Sequence, residues 1–178
     1  MKNKVSILAL IYAFTFMSCT QTKPCETPTN GFLTDTDFQV KMGSSAAVDV
    51  FNLLDAAWAK RDYETLKTFI ADEASLSFDD GFVATTPQEF VDKIKADAAE
   101  STTEGGNSWV TNYAFALTLT DDGSEETTID SGDWVNAQFT TTSTDPNSEI
   151  DSEIYYEYYH IVDGKVTQWN QFKKTIKK

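Results

Sequence analysis

His160 is the only histidine in the 178-residue chain, so any imidazole chemistry must pass through it. Imidazole titrates near neutral pH and is the side chain best suited to a general base. Two-residue alternation along a strand puts Tyr156 and Tyr158 on its face, giving one base beside two hydroxyl donors. This is the candidate catalytic set: His160, Tyr158 and Tyr156. Asp133 and Asp151 stand near strand beginnings and are candidates to orient the ring, although no spacing requires it. The plainer reading is an inert, hydrogen-bonded histidine on an aromatic strand, and one histidine without an evident carboxylate favours it.

A second group is rich in rings and amides. Trp109, Trp134, Asn136 and Gln138, with Trp58 and Tyr113, form the candidate ligand-binding set. Rings stack on uncharged cyclic ligands such as sugars, and amides hydrogen-bond to them. Alternation places Trp134, Asn136 and Gln138 together but sets Trp169 opposite Gln168 and Asn170, so not all can converge. Against this stands the ordinary fate of tryptophan, which is to fill a core.

The metal inventory is poor. Cys19, Cys25 and one histidine do not make a zinc site. The acidic run Asp121-Asp122-Gly123-Ser124-Glu125-Glu126 lacks the alternating ligands of a calcium loop. Gly105-Gly106 is too isolated to cradle a phosphate. No metal and no cofactor is expected.

The elements that must position these residues begin after a polar stretch. Residues 19–45 read as a flexible tether, broken by Pro24, Pro28 and Gly31, with Phe32, Leu33 and Phe38 able to dock on the folded domain. That domain is expected over 46–178. Val50, Phe51, Leu54, Ala57 and Trp58 recur at helical steps. Asp62 is a good N-cap for a second helix carrying Tyr63, Leu66, Phe69 and Ile70. Thr86-Pro87-Gln88-Glu89 opens a third helix, with Thr86 as cap, Pro87 at the first position and Glu89 three residues past the cap. Between the last two, Leu76 and Phe78 alternate with serines as a short strand. After the polar segment 101–107 the pattern becomes strands: Trp109 to Leu119 with its aromatic residues on one face, Asp133–Thr142, Glu149–Val162 and Lys165–Phe172. Asp163-Gly164 is a tight hairpin turn. No internal repeat is visible.

The formal net charge is −14. A surface this acidic repels phosphate backbones, which excludes nucleic acid as a partner. Lys2 and Lys4 followed by the apolar run Val5 to Met17 make an export leader, too short for a membrane-spanning helix. The ending Phe16-Met17-Ser18-Cys19 resembles the bacterial lipoprotein box. That resemblance implies a signal peptide over 1–18, a diacylglycerol thioether on Cys19, palmitate among the acyl chains, and a membrane partner held through the lipid anchor in the bacterial cell envelope. Cys25 then has no partner in its own chain.

The strand Tyr155-Tyr156-Glu157-Tyr158-Tyr159 is apolar on both sides, interrupted on one only by Glu153 and Glu157. A sheet with one wet face should alternate more cleanly. Both faces are therefore expected to be covered, one by helices and the other by a second copy of the chain, giving a homodimer through the sheet face.

Three helices followed by a long meander and closing hairpin form an α+β order. Trp58-Ala59-Lys60-Arg61-Asp62, Leu66 through Phe78, Thr86-Pro87-Gln88-Glu89-Phe90 and the hairpin Tyr158 to Val166 resemble the SnoaL-like branch of the nuclear transport factor 2 (NTF2-like) superfamily. The resemblance implies a cone: three helices on a strongly curved antiparallel sheet of four to six strands. Its catalytic members use a carboxylate with a tyrosine, an arginine between carboxylates, or a histidine pair. Arg61, the only arginine, falls at a helix junction, and a second histidine is missing. The expected function is non-catalytic binding of a small neutral ligand or a protein partner. The rivals are an isomerase, cyclase or dehydratase using His160 with pocket tyrosines, and a structural lipoprotein with a filled cone.

Overall fold

The structure is a computed structural model that describes residues 28–35, 38–100, 109–120 and 132–178, with only the backbone of Glu100. The leader, Cys19, Cys25, the segment 101–107 and the acidic run 121–126 lie outside the described residues. Helix α1 spans Ser45–Ala59, α2 Tyr63–Thr68 and α3 Pro87–Glu100. The strands are β1 (Gly31–Phe32), β2 (Gln39–Met42), β3 (Ile70–Ser77), β4 (Val83–Ala84), β5 (Val110–Thr120), β6 (Asp133–Thr142), β7 (Ile150–Val162) and β8 (Lys165–Lys177).

All eight strands form one open, curved sheet in the order β1-β2-β5-β6-β7-β8-β3-β4. The four to six expected strands are thus too few. The sequence conceals the extra ones because β1 and β4 are two residues long and β2 sits in the stretch expected to be tether. The sheet is also not wholly antiparallel: β3 runs parallel to β8. The second helix stops at Thr68, and Ile70 starts β3 rather than closing that helix.

Each helix starts where a side chain caps it. Ser44 Oγ accepts from Ala47 N at 3.2 Å, and Ser44 in turn donates from its backbone N to Asp133 Oδ2 at 3.1 Å. Asp62 Oδ1 accepts from Thr65 N at 3.2 Å. Thr86 Oγ1 accepts from Glu89 N at 3.2 Å, while Glu89 Oε2 reaches back to Thr85 N at 2.8 Å. These bonds satisfy first-turn amides that no helical carbonyl can reach. Beyond the Lys60 cap of α1, Arg61 is a non-glycine residue at φ 58°, and its N–H donates to the Trp58 carbonyl at 2.9 Å. The β7–β8 hairpin turns through Asp163 (φ 48°) and Gly164 (φ 77°), both left-handed as a two-residue turn of this kind requires.

The helices cover one side of the sheet, its inner face. Phe51, Leu54, Leu66, Phe90 and Val91 meet Val135, Ala137, Phe139, Tyr159, Val166 and Trp169 across it. Burying one side chain of this size contributes about 1.5–3 kcal/mol, so the layer interface dominates the stability.

Candidate functional site

Among the described residues, burial raises two carboxyl groups on the inner side of the sheet, Glu157 and Asp55. Glu157 on β7 is 5% exposed. Strand pairing puts it opposite Gln171 and beside Tyr159, itself opposite Trp169. Its Oε2 accepts from the Tyr159 hydroxyl and from Trp169 Nε1 at 3.1 Å, and its Oε1 accepts from Gln171 Nε2 at 2.8 Å. Both oxygens are therefore taken by neutral donors. Burial pushes its carboxyl above the ordinary carboxylate range; the three donors oppose that, and the nearby charge of Asp55 adds to it. Burial likewise raises the Tyr159 phenol, with the Glu157 charge next in importance.

Asp55 is the second carboxyl. It projects from α1 and accepts from Trp109 Nε1 at 2.8 Å and Thr111 Oγ1 at 3.3 Å. Burial raises its carboxyl, against those two bonds. Nothing in the sequence singles out Asp55, a polar position in an amphipathic helix. Glu157 does leave a signal: it is an acid set between Tyr155 and Tyr159 on one strand face.

Aromatic rings pack against one another on the same inner side. Trp169 contacts Phe78 at 4.8 Å and Phe90 at 5.2 Å between centroids, both nearly perpendicular. Trp58 packs edge-on against Phe90 at 5.2 Å and Trp109 at 5.9 Å. Phe51 meets Tyr159 at 5.2 Å and Phe139 at 6.0 Å. Near Glu157, Lys173 Nζ lies 2.9 Å from Asp79 Oδ2 and 3.6 Å from Glu153 Oε1, and Tyr155 donates to Glu153 at 3.0 Å.

His160 is on the opposite side of β7 from Glu157. Its ring stacks on Trp134, its register partner, at 4.7 Å and 22°. Nδ1 lies 2.9 Å from Thr167 Oγ1, whose hydroxyl donates to the His160 carbonyl at 3.3 Å. A Cβ on Gly132 would sit 3.1 Å from His160 Nε2, so the Gly132 backbone closes over the imidazole, which is 2% exposed. Asp133 is occupied by Ser44 at the start of α1, and Asp151 accepts from Ser152 at 3.3 Å. An open cleft of about 800 Å³ adjoins this histidine, lined also by Asp72, Glu73, Ser75, Thr85 and Gln168. It opens where β3 spends six residues, Ile70 to Ser75, against three, Val166 to Gln168, of β8.

The expected ligand-binding set divides. Trp58 and Trp109 are part of the inner ring cluster, where Trp109 is tied to Asp55. Trp134, Asn136 and Gln138 lie on the outer face, as do Tyr113, Tyr156 and Tyr158. The single-faced alternation expected from Trp109 to Leu119 fails at one residue. A bulge between Thr111 and Tyr113 sends Thr111 inward to Asp55 and Tyr113 outward beside Gln138, while Asn112 donates outward to Gln138 and Thr140. Strand register then arranges the outer side chains in rows. One row is Tyr113, Gln138, Tyr156, Phe172; the next is Phe115, Asn136, Tyr158, Asn170.

Among the described residues no group of three or more histidines, cysteines or acids is placed to hold a metal, and no helix is long and apolar enough to cross a membrane.

No protein-family model matches this sequence, and no curated protein matches it either. Solved structures do. A putative ketosteroid isomerase from Kribbella flavida superposes with a TM-score of 0.55 at 9% identity, over 77% of this chain and 84% of that one. A second Kribbella flavida protein gives 0.53 at 16% identity, over 74% and 88%. An NTF-2 like protein of unknown function from Burkholderia xenovorans gives 0.50 at 10% identity, over 75% and 87%. The chain therefore has an NTF2-like fold, with three helices on a curved sheet.

Proposed function

We propose that this chain is a cell-envelope lipoprotein, anchored through Cys19, whose NTF2-like domain acts by binding and not by catalysis. The leader supports the address: Lys2 and Lys4, an apolar run, and small Ser18 directly before Cys19. The fold does not choose an activity, since similar folds include a putative isomerase and a protein of unknown function. The observation that carries the non-catalytic reading is the occupied interior. Rings fill the cone, and each Glu157 oxygen already accepts from a neighbour in the chain. His160 and Glu157 face opposite sides of the sheet, so these two do not converge on one substrate position.

The outer face is then the working surface. Trp134, Asn136, Gln138, Tyr113, Tyr156 and Tyr158 come together there, and none is charged. Such a surface suits a neutral ligand or a protein partner. The test is to titrate the protein with 2-naphthol, a neutral ring with one hydroxyl, and follow tryptophan fluorescence. The binding reading expects no saturable response that depends on Glu157 or Tyr159. Micromolar binding abolished by Tyr159→Phe or Glu157→Gln would transfer the proposal to an enzyme.

That second reading has one observation in its favour. A buried carboxyl that favours its proton, bonded to a tyrosine, is the pairing that isomerase chemistry uses to handle an enolate oxygen. It needs the ring cluster to part.

A further inference from the structure

We infer that the tip of the β1–β2 hairpin, Phe32 with Leu33, seats in the headgroup layer of the bilayer that holds Cys19, and so orients the domain on the membrane. The inference rests on the lipoprotein reading and adds a second contact, made by the folded domain itself. Its first support is exposure. Phe32 is 79% exposed, the most of any large apolar residue described, and Leu33 beside it is 37% exposed. Phe32 therefore does not dock on the folded domain, as its apolar ring would allow. Position in the chain is the second support. Phe32 follows Cys19 by 13 residues, which reach at most about 45 Å fully extended. β1 is the first element described after Cys19, and it lies at one edge of the sheet. An acylated Cys19 thus keeps this hairpin within that distance of the bilayer, and every later element is tied to the anchor through it.

The backbone is the third support. Asn30 N donates to the Val40 carbonyl at 3.0 Å and Leu33 N to the Phe38 carbonyl at 3.3 Å, so these donors are met inside the hairpin. Lipid rejects unpaired peptide groups most strongly, and this pairing lowers the cost of leaving water. Asp35, exposed in the turn at φ 63°, sets the depth: the ring and the leucine reach the acyl boundary while the carboxylate stays among the headgroups. Charge selects the kind of surface. A chain of formal net charge −14 is repelled by anionic headgroups, so the seat is apolar contact with a zwitterionic layer. Below its tip the hairpin is fixed to the body. β2 pairs with β5 from Gln39–Thr120 to Met42–Leu117, Gly43 N donates to the Ala116 carbonyl at 2.8 Å, and Ser44 N donates to Asp133 at 3.1 Å. Whatever holds the tip therefore orients the sheet and α1.

The experiment places an environment-sensitive fluorophore (NBD) on the mature acylated protein reconstituted in phosphatidylcholine vesicles. A Cys25→Ser background leaves no other free thiol, because an acylated Cys19 is a thioether. Thr34→Cys puts the probe beside the tip, and Thr144→Cys puts it at the far end of the strands; both positions are exposed. The probe at Thr34 should move to the blue by about 10 nm or more on vesicles and be quenched by nitroxide lipids, and the probe at Thr144 should do neither. Adding Phe32→Ser/Leu33→Ser should abolish the response at Thr34 and leave the melting temperature unchanged. Should that variant fail to fold, the contrast between Thr34 and Thr144 in the otherwise unaltered protein decides alone. A water-like probe at Thr34, an equal response at Thr144, or a response that survives Phe32→Ser/Leu33→Ser overturns the inference. Intact mass of the same preparation separates the two readings. An acylated chain with a water-like probe at Thr34 overturns the hairpin seat alone, whereas an unacylated Cys19 overturns the anchor and the seat together.

Discussion

Replacing Glu157 by glutamine removes a charge from the interior while keeping the side chain's shape. The glutamine carbonyl can still accept from Tyr159 and Trp169, and its amide can donate to Gln171 once that side chain turns its own carbonyl inward. Packing therefore changes little, and the difference between the two proteins reports ionisation. In the unfolded chain a glutamate titrates near pH 4.3. In the folded chain burial raises that carboxyl, so between the two ranges the folded state holds a proton the unfolded state has released. Stability is then greatest below the unfolded range and falls as pH rises toward the folded one, by about 1.4 kcal/mol per pH unit. Glutamine lacks this dependence. The two proteins should match in stability within about 1 kcal/mol near pH 4 and diverge toward neutrality, the variant becoming the more stable. Urea titrations followed by tryptophan fluorescence at successive pH values measure the gap, and the other acids cancel in the comparison. A gap that stays constant from about pH 4.5 to 7.5, or that reverses, would refute the reasoning, because it would mean three neutral donors hold the carboxylate as comfortably as water does.

The same contacts set four more outcomes. Glu157→Leu should cost about 2–5 kcal/mol in urea titrations, since it leaves the buried Tyr159 hydroxyl and Trp169 N–H without an acceptor. Phe51→Ala should cost about 3–5 kcal/mol by the same assay, because Phe51 is fully buried against Phe139 and Tyr159. Arg61→Gly should raise stability by about 0.5–1 kcal/mol, read as a higher melting temperature, because a glycine adopts φ 58° without the Cβ penalty. Cys19→Ala should shift the protein from the detergent phase to the aqueous phase in detergent partitioning, as loss of an acyl anchor requires.

The parts of the fold legible in the sequence are those written in local chemistry. The caps at Asp62 and Thr86, and the Asp163-Gly164 turn, announce themselves because each satisfies backbone groups within a few residues. The parts that stayed hidden depend on distant partners. Gln39–Met42 has no periodicity of its own and is a strand because β5 offers it an edge, pairing Val40 with Leu119 and Met42 with Leu117. In β3, Asp72, Glu73 and Ala74 fall in the stretch where register with β8 slips, so the alternation that would have marked a strand back to Ile70 is broken. The single bulge near Asn112 has the largest consequence. One extra residue reverses every later side chain, which is why Trp109 and Tyr113, expected together, end on opposite faces. For the candidate site, alternation puts His160 on the strand face of Tyr156 and Tyr158, as the register does. It could not say which side of the sheet the helices would cover, and they cover the side bearing Glu157 and Tyr159.

A filled interior, with the work done on an uncharged outer face, is the claim on which the rest depends. Native mass spectrometry of the protein released in detergent from its own host tests it most directly, because one spectrum reports acylation, copy number and bound small molecules together. The account predicts a chain acylated at Cys19 whose interior retains no small molecule. A chain carrying a stoichiometric small ligand that is lost in Tyr159→Phe would contradict it.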